Sequence, residues 1–264
     1  MTPVLQTRGL EKRFGAVSAA SDINVRLDPL EVVGLIGANG AGKTTFINMV
    51  TGYLTPSSGT IHFEGRDITG MAPRQIARLG ISRSFQVAQT FESLSVMDNL
   101  LVAAGLHKDR GLDVLRRLHR SSLLSHCEAE LKRYGIADYA DHLAGSVPQG
   151  VRKVLDITMA MVSSPRLVLL DEPTSGVSTD ERFPIMDKLV EALRREGVTV
   201  LLVEHDMDII QRYTSRVLAF YDGRVICDAP PAQALADSMV RQYVLGDRTY
   251  TDLRIGEGMT NAVI

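Results

Sequence analysis

One stretch limits the possible folds of this chain more than any other: Gly37-Ala38-Asn39-Gly40-Ala41-Gly42-Lys43-Thr44-Thr45. It follows an apolar run, Val32 to Ile36, which predicts a buried strand. It precedes a predicted helix that begins at Lys43 and stops near Gly52. Glycines let the backbone curl without Cβ clashes. Successive amides then point inward and form an anion nest at a helix N-terminus. Lys43 adds a compact positive charge suited to β- and γ-phosphates, and the Thr44 hydroxyl suits Mg2+. An ordinary glycine-rich turn has no reason to end in Gly-Lys-Thr after a buried strand, so the stretch is taken as a P-loop.

The pattern around it alternates strands and helices. Ile23, Val25 and Leu27 predict a half-buried strand. Pro56 to Gly59 predicts a turn before a strand at Thr60 to Phe63. A helix is expected at Pro73 to Leu79, and strands at Ile81 to Phe85, Leu167 to Leu170, Val198 to Val203 and Val217 to Tyr221. Helices are expected at Val151 to Val162 and Arg182 to Arg195. This alternation argues for a largely parallel sheet covered on both faces, with ligands beyond the carboxyl ends of its strands. From about Val87 to Gly145 strand patterns vanish. Leu112, Leu115, Leu118, Leu123 and Leu124 lie among Arg and His, as on amphipathic helices, and predict a helical insertion.

Bulk properties narrow the function. The 264 residues suit one large α/β domain, or a core with a smaller inserted unit. A net charge of −2 gives no basic footprint for nucleic acid. Cys127 and Cys227 have no metal-ligand spacing, and two distant cysteines fit a reduced cytosolic protein. The first ten residues hold no signal core, and no apolar run nears the ~20 residues of a membrane helix. Any membrane span is expected from other chains.

Two further strands end in chemistry. Leu167 to Leu170 runs into Asp171 and Glu172, and Pro173 then stops regular structure. Asp171 is expected near Mg2+ and its waters, and Glu172 as a general base toward the attacking water. Alone, four apolar residues and two acids are equally a strand entering a polar turn; the P-loop upstream favours the chemical reading. Val198 to Val203 ends in Glu204-His205-Asp206, which puts His205 beside the same crevice.

Together these residues resemble the ABC ATPases over about residues 4 to 245. The resemblance implies an α/β fold: a P-loop core with a mainly parallel sheet, an antiparallel β subdomain and an inserted helical subdomain. It divides the chain into core 4–87 and 147–245, helical subdomain 88–146 and tail 246–264. It implies ATP and Mg2+ as ligands, with Gly37, Asn39, Gly40, Ala41, Gly42, Lys43, Thr44 and Thr45 at the nucleotide. Phe14 matches the aromatic that stacks on adenine. Gln86, in Ser84-Phe85-Gln86, matches the residue that serves metal and water and couples the core to the helices. Thr44, Gln86 and Asp171 are the implied metal positions, and Glu172, His205 and Gln86 the catalytic ones.

One motif departs from the family. Where its members carry approximately Leu-Ser-Gly-Gly-Gln, this chain has Val147-Pro148-Gln149-Gly150-Val151. Gly150 is kept, but the serine hydroxyl is replaced by Pro148, which also lacks an amide donor. Ser178 stands where many members carry Asp. In the family two ATPase domains sandwich two nucleotides head to tail, and Pro148, Gln149 and Gly150 would complete a partner's site. A homo- or heterodimer of ATPases is therefore expected, with an unequal heterodimeric pair favoured.

Val33 to Gly40, Ser82 to Gln86 and Val203 to Met207 look most like the ATPases of importers for branched-chain amino acids, amides and urea. That resemblance implies permease subunits, a second ATPase, indirect service to an extracytoplasmic binding protein, and a peripheral place at the cytoplasmic face of the membrane. The alternatives are a non-transport ABC ATPase and a nucleotide-dependent regulator with little turnover. The substrate is not written in this chain.

Overall fold

The computed structural model describes residues 2–84, 90–108 and 121–246. The chain opens with β1 (Leu5–Phe14), β2 (Val17–Ile23) and β3 (Arg26–Leu27), then β4 (Val32–Gly37) and α1 (Lys43–Val50). Strands β5 (Ser58–Phe63) and β6 (Arg66–Asp67), helix α2 (Pro73–Leu79) and β7 (Ile81–Arg83) follow. Next come α3 (Val96–Lys108), α4 (Ser121–Arg133), α5 (Gln149–Met161), β8 (Leu167–Asp171), α6 (Thr179–Glu196) and β9 (Thr199–Val203). The described chain ends with α7 (Met207–Tyr213), β10 (Arg216–Tyr221), β11 (Arg224–Ala229), α8 (Pro231–Ala236), α9 (Ser238–Val240) and a π-helical turn to Leu245.

The central sheet runs β11-β10-β4-β9-β8-β7, parallel from β10 to β7, with β11 returning antiparallel at the edge. Its middle strands are apolar on both faces because both faces are covered. Leu35, Leu169 and Leu201 face α1 and the antiparallel sheet through Phe46, Ile47 and Met49. Val168, Leu170, Val200 and Leu202 face Met186, Leu189 and Leu193 of α6 and Ile157 and Met161 of α5. Truncating one such leucine costs about 2–5 kcal/mol. The antiparallel sheet has the order β2-β1-β5-β6, with β3 also on β1.

Ile23, Val25 and Leu27 are all buried, as the alternation predicts. They do not form one strand. Asp22 takes a left-handed φ of 50°, and the Asn24 amide donates to its carbonyl at 3.0 Å. The chain thereby slips along β1, from Leu10 opposite Ile23 to Leu5 opposite Leu27. Helix α6 begins three residues before the expected Arg182 and runs through Pro184. The ring sits in the second turn, on the exposed side. Strands β1, β2 and β11 and helix α7 carry too weak a local pattern to be read from sequence.

Helices α3 and α4 pack around Val96, Leu100, Leu101, Leu123, Cys127 and Leu131, joined by Leu155 of α5. Leu124 lies half-buried against this cluster. Leu112, Leu115 and Leu118 fall outside the described residues, as do Phe85 and most of the 246–264 segment. Among the described residues no helix is long and apolar enough to cross a membrane.

Candidate active site

The P-loop is wedged between two other segments. Gly42 caps α1 with φ 101°, and a Cβ there would meet the Ala19 carbonyl of β2 at 2.9 Å and Gly223 Cα at 3.0 Å. The Gly223 amide donates to the Ala41 carbonyl at 3.0 Å. Ala38, Asn39 and Gly40 stay exposed at the crest, as does Thr44, while Thr45 is half-buried. The first-turn amides of α1 have no carbonyl inside the helix to bond. No acidic residue sits in that turn to neutralise them, so the positive end of the helix is presented to an anion.

Lys43 is 7 % exposed and folds back over the loop. Its ammonium donates to the carbonyls of Gly37 at 2.5 Å and Ala38 at 3.1 Å. Burial pulls its pKa below the ordinary lysine value, and the negative charges of Glu172 and Asp171 oppose that pull. Both acids at the end of β8 are therefore close enough to act on the P-loop lysine.

Asp171 ends β8 with its Oδ2 2.7 Å from an Arg83 guanidinium nitrogen. Arg83, at the end of β7, also donates to Asn48 Oδ1 of α1 at 2.7 Å. One arginine thus ties the acidic strand end to the P-loop helix. Glu172 adopts φ 49°, unusual for a residue with a side chain and costing about 1–3 kcal/mol. The turn is held on both sides. The Glu172 amide donates to the Val203 carbonyl at 2.9 Å, and its carbonyl accepts from Ser175 N at 3.1 Å and Lys153 Nζ at 3.3 Å. The strained backbone brings Glu172 Oε1 to 3.0 Å from His205 Nε2. This carboxylate–imidazole pair can accept a proton from a water and share the resulting charge.

Phe14 is 53 % exposed, with Lys12 Nζ 5.2 Å from its ring centroid. It pairs with Val17 at the β1–β2 hairpin, two residues before the Ala19 that touches Gly42. The exposed ring thus sits on the hairpin whose second strand meets the P-loop at Gly42. Gln86 lies outside the described residues.

Pro148 is the N-cap of α5 and has no side-chain cap bond. The first intrahelical bond runs from Arg152 N to the Pro148 carbonyl at 3.0 Å. The amides of Gln149, Gly150 and Val151 therefore remain the orphan donors of the first turn. A cap residue's own amide is not needed to build the helix, so the proline costs the motif its hydroxyl more than its helix end. Gln149 packs on Gly176, which takes φ 76°, and a Cβ at 176 would fall 2.0 Å from the Gln149 amide nitrogen. The altered motif and the turn after Glu172 share one exposed face.

The structure therefore brings Lys43, Asp171, Glu172 and His205 together at the carboxyl ends of the adjacent strands β4, β8 and β9. Sequence reasoning passed over Lys153 and Thr174, and treated Arg83 and Glu204 only as parts of motifs. A charged residue directly after five fully buried strand residues was a usable signal for Glu204.

The family model for ABC transporters matches residues 20–175, more than half of the chain. The chain belongs to the ABC transporter family. It is an ATP-hydrolysing cassette of that family, whose ATPase subunits dimerise and work with permease subunits. The match spans the P-loop, the altered signature and Glu172. The high-affinity branched-chain amino acid transport ATP-binding protein LivG of Escherichia coli is 34% identical over 251 residues, 93% of this chain and 98% of that protein. The corresponding BraF protein of Pseudomonas aeruginosa is 31% identical over 93% of this chain and 98% of its own length. A solved ATP-binding cassette of an ABC transporter is 27% identical and superposes with a TM-score of 0.83, covering 92% of this chain and 98% of its own. The similarity to these relatives thus extends beyond the limits of the family model.

Proposed function

We propose that this cassette energises an importer of branched-chain amino acids or of chemically related amides and urea. The observation that carries the proposal is end-to-end similarity to branched-chain amino acid transport ATP-binding proteins at 31–34% identity. The site supports the hydrolytic half. Phe14 stacks on adenine, and Gly37, Asn39, Gly40, Ala41, Gly42, Thr44 and Thr45 supply the phosphate cradle. Lys43 exchanges the Gly37 and Ala38 carbonyls for phosphate oxygens. Glu172 takes the proton of the attacking water, and His205 holds that carboxylate in place. Gln86 carries its family role by sequence match alone.

Mg2+ fits the donor set. Asp171 and Thr44 are hard oxygen donors, and among the described residues no cluster of three His, Cys, Asp or Glu side chains stands ready to enclose a metal. Mg2+ is ordinarily held by one or two protein oxygens plus phosphates and waters. When bound, it neutralises charge on the transferring phosphoryl group. Asp171 is held ready by Arg83 at its Oδ2.

The permease docks in a groove of about 540 Å³ between the core and α3, lined in part by Tyr53, Ile76, Phe91, Ala103 and Met159. Tyr53 and Phe91 are more than half exposed there, as anchors for a partner helix would be. On this reading the cassette works at the cytoplasmic face of the membrane and serves an extracytoplasmic binding protein through the permease. The core runs over 4–87 and 147–245 and the permease-facing unit over 88–146.

A second, different ATPase completes the dimer. The lost hydroxyl at Pro148 weakens the site that borrows this signature, while this chain's own P-loop site uses the partner's. Reconstitution with permease subunits, a second ATPase and a binding protein of such an importer tests the whole reading. ATP turnover should rise with those subunits, and labelled branched-chain amino acid should accumulate in vesicles. Turnover indifferent to the permeases would sink the proposal. Equal losses from Glu172→Gln here and from the matching change in the partner ATPase would remove the asymmetry.

A further inference from the structure

We propose that Glu204 is a positioning residue for hydrolysis, a buried splint that sets the Glu172–His205 pair in register. This deepens the role given above to that pair and rests on it.

The side chain is almost fully enclosed, at 4 % exposure. A carboxylate in such a place must be compensated, and its donors come from both loops of the site. Glu204 Oε1 accepts from the Thr174 amide at 3.1 Å and from the Thr174 hydroxyl at 2.7 Å. Oε2 accepts from the His205 amide at 3.2 Å. Thr174 lies two residues after Glu172, and His205 directly follows Glu204. The His205 ring then returns to Glu172 at 3.0 Å. The links close a ring: Glu172, Pro173, Thr174, the Glu204 carboxylate, the His205 backbone, the His205 ring and Glu172 again.

The neighbouring residue extends the stitch. Asp206 pairs with Arg182 of α6 and caps α7 through Asp208 N and Ile209 N. Three consecutive residues, Glu204, His205 and Asp206, thus each bind a different point of the 172–182 segment. Only Glu204 does so from the interior. Burial pushes its pKa up, and the three hydrogen bonds hold it down. A neutral side chain of similar size would cost less to bury but could not accept from both loops. Glutamine places an N–H against the donor amide of His205 or of Thr174. Aspartate is one methylene too short to reach both.

The geometric requirement is steep, since misplacement of a catalytic group by about 1 Å costs ~100-fold in rate. Glu204→Gln and Glu204→Asp should therefore lower kcat by about ten- to a hundredfold, with the ATP affinity and KM of the intact complex unchanged. The variant Thr174→Val, which removes only the hydroxyl donor, should lower kcat by a smaller factor in the same direction. Combining Glu204→Gln with Glu172→Gln should give no further loss beyond Glu172→Gln alone. Folded Glu204 and Thr174 variants with wild-type kcat overturn the inference, as does a rate loss that multiplies fully in the double variant. If Glu204→Gln does not fold, Thr174→Val decides by the same two criteria. Wild-type turnover in Glu172→Gln alone instead removes the base role on which the inference rests, and the two failures are told apart.

Discussion

The Nε2 of His205 lies 3.0 Å from Oε1 of Glu172, although the two residues are 33 positions apart. Their meeting follows from the sheet. Strands β8 and β9 are parallel neighbours with Asp171 opposite Val203, so both residues emerge at one edge. The left-handed backbone of Glu172 then turns its carboxylate toward the imidazole.

Replacing that carboxylate should separate binding from chemistry. Glu172→Gln should keep ATP affinity within a few fold and slow hydrolysis by about 100-fold or more, the usual worth of a general base. Phosphate release, measured beside nucleotide binding by calorimetry, checks both. Normal turnover would take Glu172 out of the base role.

Lys43→Ala should act on binding instead. The ammonium is buried on the Gly37 and Ala38 carbonyls, poised over the loop. A hydrogen bond to a charged group contributes about 1.5–3 kcal/mol, so ATP affinity should fall by roughly ten- to a hundredfold. Titration with a fluorescent nucleotide reads the change, and unchanged affinity would contradict the cradle.

Gly42→Ala should damage fold and site together. The residue has φ 101°, and a new Cβ would press on the backbone of Ala19 and Gly223. A cost of about 1–3 kcal/mol is expected, visible as a lower melting temperature, with ATP affinity falling in parallel. A melting curve identical to wild type would mean that the wedge does not constrain the loop.

Stability should carry a pH signature from Glu130. Its Oε2 finds no partner among the described residues, and burial raises its pKa above the ordinary 4.5 despite Arg133 nearby. A raised carboxylate contributes stability that is fully present below its unfolded pKa and is lost as pH rises through the folded value. The stability of wild type relative to Glu130→Gln should therefore decline as pH rises above 4.5. Denaturant melts at several pH values test this, and a gap that widens as pH rises would refute it.

Arg83→Met should expose the dependence of Asp171 on its partner. Both side chains are largely buried, and breaking such a pair costs about 3–5 kcal/mol when fully enclosed. A loss of stability, with weaker Mg2+-dependent nucleotide binding, is the expected result. Thermal denaturation and metal titration of nucleotide binding measure it.

Much of this protein was legible because its chemistry is local. The P-loop needs only a buried strand, glycines and a lysine in sequence, and the twelve residues from Val32 to Lys43 state all three. Strands β4, β8 and β9 announce themselves as apolar runs because both faces of a parallel sheet are covered. The hidden strands β1, β2 and β11 have no such run. Leu5–Phe14 contains Gly9 and five charged or amide side chains, and its strand form comes from pairing with β2, β3 and β5.

The sequence by itself determined which groups the site would contain: a phosphate cradle with Lys43, two acids after one strand, a histidine after another, and a signature lacking its hydroxyl. Only the tertiary structure decided how they are held. That Arg83 pairs with Asp171, that Glu204 binds Thr174, and that Gln149 rests on Gly176 all depend on contacts between residues tens of positions apart. Such contacts are set by sheet order and backbone approach, and a one-dimensional pattern carries neither. Hydrogen bonds act over about 3 Å, so which buried polar groups meet is fixed only once the core has closed around them.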